Sequence, residues 1–163
     1  MKKLFFLFCL FTLAATQAFC ASEPTDTIVI SHIVKNNAAF IANAKLLEGD
    51  WQAFLNLRGF KDTHINKVQV VANAGAYYLV ATGTQNGKKL RSTLLLQQLG
   101  RCLFISGATT TCTTTSCANE PLTNALQGAA CAPCANGGQC TKIVANGPVL
   151  LFPRATIGGY SGK

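Results

Sequence analysis

The chain has 163 residues, of which 49% are hydrophobic and 12% are charged. This length fits one domain with a short appendage, and the apolar content excludes an ordinary disordered protein, which would be more polar and more charged. The net charge is +8, but the basic residues are scattered, and the one short cluster is Lys88, Lys89 and Arg91. Nucleic-acid binding is not expected, since it favours denser basic patches interleaved with stacking aromatic residues.

The first 22 residues have the pattern of a secretory signal peptide. Lys2 and Lys3 form a basic start, an apolar run extends from Leu4 to Leu13, and small residues follow. The apolar run is too short for a permanent membrane span, and no later segment is long enough. We therefore expect an exported protein without a stable membrane span, secreted or held in a periplasm or at a cell surface.

Cysteine parity predicts signal-peptide cleavage near Cys20 to Ser22. A cut after Cys20 or Ser22 leaves an even number of cysteines, whereas a cut after Ala18 leaves one unpaired in an oxidising compartment. A lipidated Cys20 is the alternative, although the bulky Phe19 stands where lipoprotein signals carry a small residue. Removing Lys2 and Lys3 from the 14 basic residues leaves a net charge of about +6.

The mature chain begins with one strand and one helix. The stretch from Thr27 to Lys35 is rich in Ile and Val, which favours a strand. The following stretch from Ala38 to Asn43 fits either the second arm of a hairpin or the start of a helix. From Leu46 to Arg58 the apolar residues recur at three- and four-residue spacing, which predicts an amphipathic helix that starts at Leu46 or, because Gly49 weakens the first turn, at Asp50.

The next segment predicts an antiparallel meander of four strands. Short turns containing glycine separate four runs, and both residues of Asn86-Gly87 tolerate the positive φ of a type I′ turn. The four runs are Asn66 to Asn73, Ala76 to Thr84, Lys88 to Gln97 and Arg101 to Ser106.

Alternation along these runs predicts one face buried under the helix. The apolar residues at every second position are Val68, Val70, Leu90, Leu94, Leu96, Leu103 and Ile105. Lys89 and Arg91 point to the opposite face, and Tyr77 and Tyr78 project to opposite sides, so that one of them is exposed. We therefore predict an α+β domain over residues 23–106, in which one amphipathic helix packs on a four- to five-stranded antiparallel meander sheet.

The composition changes after Gly107 to Thr, Gly, Ala and Cys, and residues 107–163 form a disulfide-rich, loop-rich segment up to an apolar run from Pro148 to Phe152 that resembles a closing strand. This segment is too poor in large apolar residues to build its own core, so we expect disulfides to hold it, with Cys102 bonded to a downstream cysteine. Sequence alone leaves the connectivity open. The disulfide candidates are Cys102, Cys112, Cys117, Cys131, Cys134 and Cys140.

Two alternative interpretations of the cysteines involve thiol chemistry. Cys131-Ala132-Pro133-Cys134 has the Cys-x-Pro-Cys form of thioredoxin-like redox sites, but the Asn136-Gly137-Gly138 turn after it replaces the helix that such a site requires. Cys112, Cys117, Cys131 and Cys134 approach a four-thiolate zinc spacing, although oxidation competes with metal binding in an exported chain. We therefore expect neither a metal nor a cofactor.

The stretch from Pro133 to Cys140 resembles the Pro-Cys-x-Asn-Gly-Gly-x-Cys motif of epidermal-growth-factor-like modules, and the tail from Gly159 to Lys163 resembles the end of the same module. The later Cys-x-Cys pair and terminal cysteine of that family are missing from this chain. The resemblance therefore implies a shared turn rather than the disulfide framework of the family.

No other catalytic pattern is present, since the chain lacks a nucleophile elbow, a phosphate-binding loop and a dinucleotide fingerprint. We expect a non-enzymatic binding or structural module whose partner is a protein or a surface polymer. The expected binding residues lie on the open face of the meander, at Lys89, Arg91 and one of Tyr77 or Tyr78. The alternative function is a thiol-disulfide redox or zinc-binding protein centred on Cys131 and Cys134.

Overall fold

The computed structural model describes residues 27–34, 37–40, 42–120, 126–127, 130–147 and 151–153. The predicted signal peptide and its cleavage site lie outside these residues. The described elements, in chain order, are β1 (Thr27–Val34), β2 (Asn37–Phe40), α1 (Ala44–Leu57), β3 (Thr63–Asn73), β4 (Ala76–Gln85), β5 (Lys88–Leu95), β6 (Gln97–Leu99), β7 (Cys102–Ser106), β8 (Ala108–Thr114), β9 (Leu126–Gln127), β10 (Ala130–Cys131) and β11 (Thr141–Asn146).

The helix packs on antiparallel sheets, which confirms the predicted α+β class. A five-stranded sheet has the order β11-β8-β5-β4-β3, and a four-stranded sheet has the order β2-β1-β7-β6. The short strands β9 and β10 pair with each other. Within the described ranges, no helix has the length and hydropathy needed to cross a membrane.

The predicted four-stranded meander divides between the two sheets. Its first three runs form the consecutive strands β3, β4 and β5, and both residues of the Asn86-Gly87 turn have the predicted positive φ, 48° and 74°. The strand predicted from Lys88 to Gln97 ends at Leu95, and the chain crosses to the other sheet at Leu96. The fourth run, β7, therefore pairs with β1 and β6 instead of β5.

The strand that pairs with β5 on this side is β8, which lies in the predicted cysteine-rich segment. This strand pairs with β5 on one side and with β11 on the other. Threonine is β-branched and has a high strand propensity, so a threonine-rich run can lie inside a sheet if its hydroxyl groups find partners. The large sheet thus extends across the predicted boundary at residue 107.

The helix begins earlier than predicted because Asn43 caps it. The Asn43 side-chain oxygen accepts hydrogen bonds from the backbone N–H groups of Lys45 and Leu46, at 3.1 and 3.2 Å. The Asp50 start is therefore wrong. In the stretch from Ala38 to Asn43 the hairpin interpretation is confirmed, since Asn37–Phe40 pairs with β1, and Asn43 is the N-cap residue just before the helix.

Polar side chains of α1 fix the start of β3. Asn56 accepts a hydrogen bond from the backbone N–H of Thr63 at 3.1 Å and donates to its carbonyl at 3.4 Å. Gln52 accepts from the backbone N–H of Ile65 at 3.1 Å. The helix and the edge strand of the large sheet are thereby held in one register.

One core joins the helix to both sheets, and the side chains predicted to be buried lie in it or against it. Trp51 is fully buried, and its ring meets that of Phe152 edge to face at 5.7 Å. Leu151 and Phe152 are also fully buried, but they do not continue a strand as predicted, and residues 148–150 lie outside the described residues.

A buried hydrogen-bond chain connects α1 to the centre of the large sheet. Trp51 Nε1 donates to Ser92 Oγ at 3.1 Å, and Ser92 Oγ lies 2.6 Å from Thr113 Oγ1. Ser92 and Thr113 are register partners on β5 and β8. These hydrogen bonds therefore provide partners for the buried indole N–H of Trp51 and the buried hydroxyl of Thr113.

We predict that Ser92→Ala lowers the free energy of unfolding by about 1–3 kcal/mol, because both neighbours lose a buried hydrogen-bond partner. Thr141→Ala is the control, since Thr141 is exposed on β11 and its change is expected to stay within about 0.5 kcal/mol. Denaturant unfolding monitored by tryptophan fluorescence measures both. An equal effect of the two substitutions would show that the hydrogen-bond chain contributes nothing specific.

Candidate functional site

The large sheet has two faces, which the strand register assigns. The core face carries Tyr77, Leu79, Ser92, Leu94 and Thr113 and lies under the helix and the core. The opposite face, here called the cap face, carries Tyr78, Val80, Thr82, Thr84, Lys89, Arg91, Thr93, Cys112 and Thr114. The described residues between β8 and β11, which are 115–120, 126–127 and 130–140, are here called the cap.

The four predicted binding residues do not form one open patch. Tyr77 is half-buried against the core, and Tyr78 is 5% exposed on the cap face. Arg91 is half-buried, whereas Lys89 is exposed. Of the four, only Lys89 is therefore fully available to a partner.

Arg91 is half-buried because the cap lies against it. Its Nη1 donates to the backbone carbonyl of Glu120, and its buried Nε has no hydrogen-bond partner among the described residues. Burial lowers the pKa of Arg91 below its usual value, and the charge of Glu120 partly offsets that effect. The Glu120 carboxylate in turn accepts a hydrogen bond from the backbone N–H of Ala135 at 3.1 Å, so the two ends of the cap meet beside Arg91.

Two disulfides hold the cap on this face. Cys112 in β8 is bonded to Cys131, and Cys117 is bonded to Cys134, with Cα separations of 5.5 and 5.6 Å. The first bond joins the cap to β8, an inner strand of the sheet, and the second closes the cap on itself. The thiol of Cys140 is free.

The predicted bond from Cys102 to a downstream cysteine is wrong. Cys102 is disulfide-bonded, but Cys112, Cys117, Cys131 and Cys134 bond to one another and Cys140 is free. The sheet reaches the cap without that bond, because β8 and β11 belong to the five-stranded sheet.

In this disulfide pattern the cysteines are not arranged as the redox site or the zinc site would require. Cys131 and Cys134 bond to different partners, so the Cys-x-Pro-Cys segment does not form its own disulfide. The four cysteines of the zinc spacing are all oxidised to disulfides and carry no thiolate ligand. The tight turn predicted after the segment is present, since Gly137 N donates to the Cys134 carbonyl at 3.0 Å.

Thr114 is the polar centre of the cap. Its hydroxyl donates to the Gln139 carbonyl at 2.9 Å and accepts from the backbone N–H of Ser116 at 3.0 Å. The same oxygen lies 3.5 and 3.8 Å from the sulfurs of Cys117 and Cys134. One buried side chain at the end of β8 thus organises both ends of the cap.

Three cysteine sulfurs gather where the cap leaves the sheet. The Sγ atoms of Cys112, Cys131 and Cys140 all lie within 4.8 Å of one another. Cys140 is half-buried, and this burial raises the pKa of its thiol. The group combines one disulfide and one free thiol.

The uncovered part of the cap face carries basic and hydroxyl side chains that the sequence analysis missed. The register places His64 beside Thr84 and Lys89 in one row, and Lys67 beside Thr82 and Arg91 in the next. A β-bulge between Ile65 and Lys67 puts His64 and Lys67 on the same face although they are three residues apart.

Gly83 makes room for this bulge. A Cβ atom at Gly83 would lie 1.9 Å from the His64 carbonyl oxygen, so any side chain there would displace the bulged strand. We call His64, Lys67, Thr82, Thr84 and Lys89 the basic strip.

Comparisons of the chain with protein-family models, curated proteins and solved structures find no match.

We predict that Thr114→Val destabilises the protein by about 1–3 kcal/mol, because the isosteric side chain leaves the Gln139 carbonyl and the Ser116 N–H without their partner. Thr110→Val is the control, since Thr110 lies on the same strand and face but is half-exposed. Denaturant unfolding measures the difference. Equal stability of the two variants would argue against the role of Thr114.

We predict that reduction of the native protein opens the cap to chymotrypsin at Leu126, while the core remains folded. Both cap disulfides are then lost, but α1 and the sheets keep their own apolar core. Trp51 in α1 is the internal control and stays resistant to cleavage, because it is fully buried. Equal resistance of Leu126 with and without reductant would show that the disulfides do not hold the cap, and cleavage at Trp51 would show that the whole domain unfolds.

Proposed function

We propose that this chain is an exported, non-enzymatic binding module that uses the basic strip to bind an anionic surface polymer. The observation that carries the proposal is the strand register, which gathers cationic and hydroxyl side chains from three separate strands on one uncovered face. The proposed binding surface keeps Lys89 from the predicted patch, leaves out Tyr77, Tyr78 and Arg91, and extends from Lys89 across β4 to β3.

The charges of the strip favour an anionic partner. Neighbouring strands lie about 4.8 Å apart, so Lys89 and Lys67 are within about 10–12 Å of each other. Both lysines are exposed, and neither takes part in the ion pair that Lys45 and Glu48 form on the helix. A carboxylate, sulfate or phosphate placed between the two lysines would offset their mutual repulsion.

The hydroxyl groups of the strip suit a polymer rather than a free ion. Thr82 and Thr84 are half-buried, and each lies between two basic side chains of its row. Hydroxyl groups donate and accept hydrogen bonds, as the neutral oxygens of a polysaccharide do. An extended chain laid across β3, β4 and β5 would meet cations and hydroxyls in turn.

Export is supported by the leader pattern of the first 22 residues and by the chemistry of the cap. Two disulfides in a short, weakly apolar segment are compatible with an oxidising compartment outside the cytosol. A rigid sheet face beside a disulfide-bonded cap suits a binding module that has to persist there.

The test compares two double variants that remove the same net charge. We predict that Lys67→Gln with Lys89→Gln lowers the affinity for heparin, used as a sulfated polysaccharide probe, by about tenfold, whereas Lys45→Gln with Arg101→Gln has a much smaller effect. Affinity is measured by titration at fixed ionic strength, and circular dichroism verifies the fold. Equal losses in the two variants would show that net charge alone is responsible and would refute the strip.

A further inference from the structure

The three gathered sulfurs belong to separate elements. Cys112 lies inside β8, Cys131 lies in β10, and Cys140 immediately precedes β11. Only the bond between Cys112 and Cys131 is formed, although the Cys140 sulfur is within 4.8 Å of both bonded sulfurs. A nucleophilic thiol therefore lies beside a disulfide with which it can react.

The sheet holds Cys112 and Cys140 at a fixed separation. The register partner of Cys112 on β11 is Lys142, so Cys140 is its diagonal neighbour on the same face. Diagonal neighbours in an antiparallel pair are about 7–8 Å apart, which exceeds the usual Cα separation of about 5.5–6 Å in a disulfide. A direct bond between Cys112 and Cys140 would therefore distort the sheet.

Cys131 is not held in this way. Its strand β10 has two residues and pairs with β9, outside the two larger sheets. Because β10 is outside the β8–β11 ladder, a movement of Cys131 toward β11 would leave that ladder intact. Cys112 and Cys140 are thus two alternative partners for one sulfur on the cap.

We propose that these cysteines form a thiol-disulfide exchange site, in which Cys131 is bonded alternately to Cys112 and to Cys140. The Cys140 thiolate attacks Cys131 Sγ and forms the new S–S bond. The bond between Cys131 and Cys112 breaks, its electron pair leaves on Cys112 Sγ, and that sulfur takes up a proton. One thiol and one disulfide are present before and after, so the step needs no external oxidant or reductant.

The exchange moves the attachment of the cap from β8 to β11. It requires the thiolate of Cys140, and burial opposes formation of that thiolate. The rate of exchange is therefore low at neutral pH, and it increases as the pH rises above the usual pKa range of a cysteine thiol. The Cys112–Cys131 bond is the resting arrangement.

The deciding experiment removes one sulfur at a time. Cys112→Ser and Cys117→Ser each orphan one cap cysteine, and free thiols are counted by maleimide labelling and peptide mass spectrometry of the folded protein. We expect no labelled thiol among Cys131 and Cys140 in Cys112→Ser, because these two bond to each other. We expect two labelled thiols, Cys134 and Cys140, in the matched Cys117→Ser control.

Two free thiols in Cys112→Ser would overturn the proposal, and so would the loss of both thiols in Cys117→Ser, which would indicate nonspecific pairing. If Cys112→Ser fails to fold, the unmodified chain provides the test. It is held at pH 9, labelled at mildly acidic pH, then reduced, blocked with a second reagent and digested with trypsin, and tandem mass spectrometry locates the label within the peptide 102–142. Exchange transfers part of the label from Cys140 to Cys112, and a label confined to Cys140 refutes exchange.

Discussion

The burial of a threonine strand is the constraint on which the rest of the structure depends. β8 lies between β5 and β11, and most of its side chains are buried, so its hydroxyl groups cannot rely on solvent. A buried hydroxyl without a partner costs about 1–3 kcal/mol. Thr113 meets that requirement on the core face through Ser92 and Trp51, and Thr114 meets it on the cap face through Gln139. One strand thereby connects the helix to the cap.

The cap shows how a face can be covered with few apolar residues. Hydrophobic burial alone would hold such a segment weakly, but each disulfide that closes a loop of this length stabilises the folded state by about 2–4 kcal/mol. The two bonds span sequence separations of 19 and 17 residues. The cap covers Arg91, so this residue is not available as the predicted binding residue. The cap leaves the basic strip exposed, and its edge is therefore one boundary of the strip.

Local features of the fold were predictable, and long-range ones were not. The glycine turns, the amphipathic helix and the alternation on β3, β4 and β5 depend on residues close in sequence, and each has a pattern of its own. The position of β8 depends on pairing with β5, and a threonine-rich run beside cysteines has the composition of a loop. The basic strip was hidden for a similar reason, since only the β-bulge opposite Gly83 brings His64 and Lys67 to one face.

Complete pairing among the six cysteines from Cys102 to Cys140 is the premise on which cysteine parity predicts the cleavage site. The structure removes that premise, because four of them pair, Cys140 is free and Cys102 bonds to none of the other five. The thiol of Cys140 is free because the strand register keeps it too far from Cys112 for a disulfide. The backbone pairing of β8 with β11 holds Cys140 diagonal to Cys112, too far for a bond between them but close to the disulfide that Cys112 makes. An even count of cysteines therefore does not imply complete pairing where the sheet sets their separation.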